Sequence, residues 1–368
     1  MIVMSAKQPY KKNQPDQAKE TTQNMSQHSH QLTQRKQDHI DAVLNDPLVE
    51  RNRSNFDTIK LQHRALPEID FAQVDTSTVF LDKALSFPFL IASMTGGAGT
   101  NFKAINQNLA EAAEETQVAM AVGSQRAMIV DKTARQSFAL RKYAPTAPLI
   151  ANIGAVQLNY GFGIDEARRA VDTLEADALY LHLNPLQEII QPEGDTNFAS
   201  LADKICQLQQ QLSIPVILKE VGCGLSAPDI QLGLDAGIKW FDVAGQGGTS
   251  WSRIEAHRSE NELGFLFQDW GLTTVQSLTM ARRFQNQAQF IASGGIRNGI
   301  DMVKAVIMGG RLCGVAAPLL APAQDSTESV IKKITQFKQE FSTAQFLLGI
   351  EKSNALLLND SLILPAQR

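Results

Sequence analysis

Eight short apolar runs, each closed by a Gly, Ser, Asn or Lys and followed by a stretch of helical periodicity, limit what this chain can fold into. They are Phe89–Ser93, Ala119–Val122, Leu149–Ile153, Ala178–Leu183, Val216–Val221, Trp240–Ala244, Phe290–Ser293 and Leu312–Ala316. The first four recur about every 30 residues, the repeat length of a βα unit in a parallel sheet. Longer gaps after His182 and after Asp242 leave room for insertions. Eight such units predict an α/β fold, a (β/α)8 TIM barrel with an N-terminal extension, which closes the sheet and leaves no edge strand. A doubly wound sheet is the alternative and ordinarily uses fewer strands.

The remaining segments divide the chain. Residues 1–34 are polar, lack apolar periodicity, and are expected to be a disordered tail. Residues 35–88 form a lead-in segment that contains a short helix from Arg35 to Leu44. Residues 89–345 are expected to form the barrel, and 346–368 a C-terminal tail or helix. A formal charge of -4 offers no counterion-release surface, so nucleic acid is not an expected partner. The longest apolar stretch, around Phe87 to Met94, contains Pro88 and falls short of the ~18 residues of a membrane span. Cys206, Cys223 and Cys313 lie far apart without CxxC spacing, which argues against a disulfide framework or structural zinc. With no signal-peptide pattern at the start, the expected location is the cytoplasm.

Barrel chemistry gathers at the C-terminal ends of the strands. Glycine-rich turns after the last two runs, Ser293-Gly294-Gly295-Ile296-Arg297 and Gly314-Val315-Ala316-Ala317-Pro318, allow backbone N–H groups to approach a phosphate at a helix N-terminus. Thr249 lies in a third such turn and can add a hydroxyl. Lys219 interrupts an apolar run where an unpaired ammonium is unfavourable. It calls for an anion: a Schiff-base role, a phosphate, or the electron-rich edge of a reduced flavin. Glu188, with Asn184 nearby, suits Mg²⁺ whose shell is completed by substrate phosphates, or is simply a carboxylate favoured by a helix N-terminus. His182 reads equally as a core histidine. Arg35, Lys36 and His39 share a helical face, which on spacing alone reads as a solvated charge run.

RKQDHI, SMTGG, GSQR, HLNPLQE, LKEVG, GQGGTSW and SGGIR occur in this order, from about Arg35 to Leu320. In this the chain resembles the type 2, flavin-dependent isopentenyl diphosphate isomerases of isoprenoid biosynthesis. The resemblance implies a (β/α)8 barrel holding FMN, with Ser93, Met94, Thr95, Gly96, Ser124 and Asn152 along the flavin. Lys219 would stabilise its reduced anion, and Thr249, Gly295, Ile296, Arg297, Ala316 and Ala317 would hold its phosphate. It implies Glu188 as the Mg²⁺ ligand, and Gln187, His182 and Lys219 as catalytic. Arg35, Lys36, His39, Ser124, Gln125, Arg126 and Asn184 would join Gln187 around the substrate. The implied reaction interconverts isopentenyl and dimethylallyl diphosphate by proton transfer. NADPH would serve only to reduce the flavin, and the assembly would be a homo-oligomer, a tetramer or octamer.

Three rivals share the barrel. An FMN-dependent oxidoreductase of the hydroxy-acid oxidase or dihydroorotate dehydrogenase type would need a catalytic His or Cys, for which Cys223 is a candidate. An IMP dehydrogenase type would need a reactive loop cysteine and no FMN. A non-catalytic phosphometabolite-binding barrel would bind without turnover.

Overall fold

The computed structural model describes residues 36–51, 54–94, 99–259 and 261–365. Helix α1 (36–45) is followed by short 3₁₀ turns and a hairpin of β1 (Thr78–Phe80) and β2 (Lys83–Leu85). The first half of the barrel runs β3 (Phe89–Ile91), α2 (Thr100–Thr116), β4 (Ala119–Ala121), α3 (Arg126–Val130), β5 (Leu149–Gly154), α4 (Ile164–Leu174) and β6 (Ala178–Leu183). After α5 (Pro185–Ile190) and α6 (Leu201–Gln211) come β7 (Val216–Glu220), α7 (Ala227–Asp235) and β8 (Trp240–Asp242). Three helices fill the long gap that follows: α8 (Trp251–Ser259), α9 (Glu262–Leu266) and α10 (Thr274–Ala281). Strand β9 (Gln289–Ser293), α11 (Gly299–Ile307), β10 (Gly310–Val315), α12 (Ala317–Asp325) and α13 (Thr327–Leu347) complete the order. The eight strands β3 to β10 pair in parallel with their sequence neighbours, and β10 closes onto β3. This is the (β/α)8 barrel that the eight runs predict. The stretch 1–34, expected to be a disordered tail, lies outside the described residues.

The strands are apolar almost throughout because both faces are covered. Outward residues such as Phe89, Leu179, Leu181, Leu218 and Phe290 pack beneath the helices. Inward residues Leu90, Ile150, Tyr180, Ile217, Ile291 and Leu312 fill the interior, together with Phe80 and Leu85 from the β1–β2 hairpin. Phe80 meets Trp240 edge-on with ring centroids 5.0 Å apart, so the hairpin stoppers the N-terminal end of the barrel. Phe80, fully buried, contributes about 2–3 kcal/mol.

The period of two along a strand determines what comes next. Two residues beyond the inward apolar layer stand Ala92, Asn152, His182, Lys219, Asp242, Ser293 and Gly314. Register sets the same level across neighbouring strands: Gly154 opposes His182, His182 opposes Lys219, and Lys219 opposes Asp242. An apolar plug thus carries a polar layer at the C-terminal mouth. Among the described residues, no helix is long and apolar enough to cross a membrane.

Candidate active site

The mouth opens into a cavity of about 440 Å³, within the usual size range of a small-molecule site. Its floor is the polar layer. Lys219 Nζ lies 3.0 Å from Asp242 Oδ2 and donates to Ser293 Oγ at 3.3 Å. Asp242 also accepts from Tyr180 Oη at 2.8 Å and from the Ser293 hydroxyl. Both partners of the Lys219–Asp242 pair are buried, and these added hydrogen bonds satisfy the carboxylate that would otherwise be poorly compensated. On the other side, Asn152 Nδ2 donates to Val122 O and to Ser93 Oγ. Its Oδ1 is therefore an acceptor, which places the proton of the 2.7 Å His182–Asn152 contact on His182 Nδ1.

One wall comes from the N-terminal segment. Helix α1 brings Lys36 and His39 to a small hollow that continues the cavity, shared with Met94, Thr249, Trp251 and Ala316. Glu255 on α8 joins this helix to the barrel. Its Oε1 accepts from His39 Nε2 at 3.0 Å and from Gln187 Nε2 at 2.8 Å, while Arg258 Nη1 donates to Oε2. Burial pushes the Glu255 carboxyl up, but the His39 bond and charge, with Gln187 and Arg258, more than reverse it and hold the group at about 2. Asp46 secures the far end of α1 through Arg253 Nε and His257 Nε2, both at 2.6 Å.

The other end is made of turns. Gly245, Gly248, Thr249, Gly294, Gly295, Ile296, Arg297, Ala316 and Ala317 line it, ahead of the N-termini of α11 and α12. Gly294 has φ +98°, and a Cβ there would lie 2.0 Å from Gly245 O. A Cβ on Gly248 would lie 2.9 Å from Gly295 N. Only glycine lets these turns approach one another.

The expected site residues do not all meet. Ser93, Asn152, His182, Lys219, Thr249, Gly295, Ile296, Arg297, Ala316 and Ala317 line the main cavity. Met94, Lys36 and His39 line the hollow beside it. Gln187 and Asn184 sit at a third small recess with Trp251, next to Glu188. The Gln125 side chain is fully buried, Nε2 donating to Ala170 O and Oε1 accepting from Asn152 N, so it ties α4 to β5. Arg126 is paired with Asp195 at 2.8 Å, and neither it nor Ser124 is among the described residues that line the cavity. Arg35, Thr95 and Gly96 lie outside the described residues. Asp242, Glu255 and Trp251 were not singled out from the sequence, although Asp242 breaks an apolar run just as Lys219 does.

The model of the FMN-dependent dehydrogenase family matches residues 28–151 and 169–363. A protein of Hydrogenovibrio crunogenus named isopentenyl-diphosphate delta-isomerase is 69% identical over 338 residues, covering 91% of this chain and 98% of its own. One of the same name from Paracoccus zeaxanthinifaciens is 57% identical over 341 residues, again covering 91% and 98%. The chain belongs to the isopentenyl-diphosphate delta-isomerase family. Solved structures with the same barrel are remoter. A mandelate oxidase variant aligns with TM-score 0.59 at 17% identity, covering 84% of this chain and 90% of its own. An (S)-mandelate dehydrogenase variant aligns with TM-score 0.63 at 15% identity, covering 87% and 91%.

An isomerase within an FMN-dependent family implies a flavin, and the residues present fit one. The glycine turns form a cradle that any Cβ would fill, at the end of the cavity where helix N-termini favour an anion. The opposite end offers a buried ammonium, Lys219, to an electron-rich ring. Cys223 does not fit the oxidoreductase alternative: burial and the Glu220 carboxylate push its thiol up to about 12, the reverse of an activated nucleophile.

Proposed function

We propose that the protein is a type 2, FMN-dependent isopentenyl-diphosphate delta-isomerase that interconverts isopentenyl and dimethylallyl diphosphate, with Mg²⁺ on the diphosphate and NADPH as flavin reductant. The observation that carries this reading is the shared oxygen of Glu255. It holds His39 of the anion-binding helix and Gln187 of the mouth in one hydrogen-bonded unit, so that binding the diphosphate and orienting the alkene become a single event. The 69% identity to an isomerase over nearly its full length supports it.

Reduced FMN supplies ring groups that give and take a proton next to the alkene. The chain's residues do the rest. Lys219, ion-paired with Asp242, provides fixed positive potential at the cavity floor without reorganisation. His182 lines that cavity, and Gln187, oriented by Glu255, lines the neighbouring recess that shares Trp251 with it. Lys36 and His39, with Arg35, would take the diphosphate oxygens.

Mg²⁺ fits in a restricted way. Glu188 is buried, accepting from Asn184 Nδ2 at 2.9 Å and from Asp195 N at 2.8 Å. Asn184 Oδ1 beside it is buried without a hydrogen-bond partner among the described residues, a hard oxygen suited to a cation. No group of three His, Cys, Asp or Glu stands ready among the described residues. The ion would therefore take much of its shell from substrate phosphate and water. A homo-oligomer, tetramer or octamer, in the cytoplasm accords with this assignment.

The test is proton NMR in D₂O under anaerobic conditions with protein, FMN, Mg²⁺, NADPH and isopentenyl diphosphate. Dimethylallyl diphosphate carrying deuterium, formed without stoichiometric loss of NADPH, is the expected result. No conversion by fully reduced, flavin-loaded protein would sink the assignment.

A further inference from the structure

A carboxylate is built into the end of the cavity that suits a phosphate. Residues 49–51 lie as a strap against the turn after β8: Ser250 N donates to Val49 O at 2.8 Å, Arg51 N to Gly248 O at 3.2 Å, and Glu50 pairs with Thr249 as an isolated antiparallel bridge. Arg51 fastens the strap, its Nη2 donating to Gly222 O at 2.6 Å and to Thr249 O at 3.1 Å. The strap turns the Glu50 side chain into the cavity lining, beside Gly248, Gly295 and Arg297. Its Oε1 accepts the Thr249 hydroxyl at 2.5 Å, and its Oε2 lies 3.7 Å from Arg297 Nη2. A hydroxyl has one proton, and Thr249 gives it to Glu50. Arg297 is divided further, donating to Gly295 O and Gly247 O. The two side chains best suited to grip a phosphate are thus both engaged by, or shared with, a negative charge.

We propose that Glu50 is a specificity-determining counter-charge at the phosphate end: it holds the Thr249 proton, offsets Arg297, and so sets how tightly the site takes a phosphate-bearing flavin. The inference rests on the reading that the flavin phosphate lies between the turns after β8, β9 and β10. The grip then falls to backbone N–H groups of those glycine turns rather than to the Thr249 hydroxyl and Arg297. Loading remains selective for the phosphate yet weaker than the bare donor set would make it.

The experiment measures flavin release from the holoenzyme on dilution, by recovery of free flavin fluorescence, with riboflavin and inorganic phosphate as competitors. Glu50→Gln and Glu50→Ala are compared with wild type. Removing a like charge from this partly exposed end of the cavity is expected to tighten FMN about ten-fold. Competition by inorganic phosphate should strengthen in parallel, and riboflavin, which lacks the phosphate, should be unchanged. Alanine cannot donate a hydrogen bond, so a tightening shared by both variants belongs to the charge. Unchanged or weaker FMN binding in either variant overturns the proposal, as does an equal gain for riboflavin. If wild type holds riboflavin as tightly as FMN, the placement of the phosphate fails first and takes the proposal with it.

Discussion

Replacing Glu255 by Gln tests the hydrogen-bonded unit at the rim of the mouth. The carboxylate is fully buried, with a side-chain exposure of 0%, and takes His39 and Gln187 on one oxygen and Arg258 on the other. The native state holds it at about 2 against an ordinary 4.5. A depressed carboxylate stabilises the fold above its unfolded value, and that contribution is lost as pH falls from 4.5 toward 2. At about 1.4 kcal/mol per unit, the ionised group contributes roughly 3 kcal/mol near neutrality and about half of that at pH 3. Glutamine keeps the size and one acceptor oxygen but turns an amide nitrogen toward Arg258. Urea unfolding of both proteins at pH 7, 5, 4 and 3, on the order of the range set by that titration, gives the difference directly. Groups that do not touch Glu255 titrate in both proteins and cancel. The variant is expected to be about 3 kcal/mol less stable at pH 7, with the gap halved at the acid end. A gap that stays constant with pH, or no gap at neutrality, would refute the reasoning.

Two further outcomes follow from the floor and the turns. Lys219→Ala strands the buried Asp242 carboxylate, so it should lower stability by about 3–5 kcal/mol and abolish turnover; adding Asp242→Ala should recover much of the urea midpoint but none of the turnover. Gly294→Ala places a methyl group 2.0 Å from Gly245 O at a φ of +98°, so the purified protein should lose its visible flavin absorbance while its far-ultraviolet dichroism keeps the barrel signature.

The barrel is legible in the sequence because burial on both faces leaves a strand no choice but an unbroken apolar run. Lys219 is legible for the same reason, as a cation where none is tolerated without a partner. Its partner Asp242 stands under the same rule: each lies two residues past an inward apolar side chain, Ile217 and Trp240, and parity alone would have paired them. Glu255 is different. Its surroundings, SRIEAHRSE, read as the solvated face of a polar helix, and only the tertiary fold buries it between α1 and α5. The buried bonds of Gln125 to Ala170 and Asn152 were likewise hidden, since a motif string does not record which way a side chain faces. Glu50 was invisible for a third reason, since its meaning depends on a strap laid against a turn some 200 positions away, 199 for the Thr249 bond.

Those separations have a kinetic consequence. His39 meets Glu255 across 216 residues, and Arg51 meets Gln268 across 217. Contacts that close such long loops form late, because the entropy of bringing the ends together must be met before the contact stabilises anything. On the ribosome the segment from α1 to the strap emerges before the barrel strands, yet its docking partners appear only once the second half of the barrel is made. The segment from α1 to the strap therefore waits for partners that lie between Gly222 and Gln268, and the wall it lends to the mouth is completed only in the second half of synthesis.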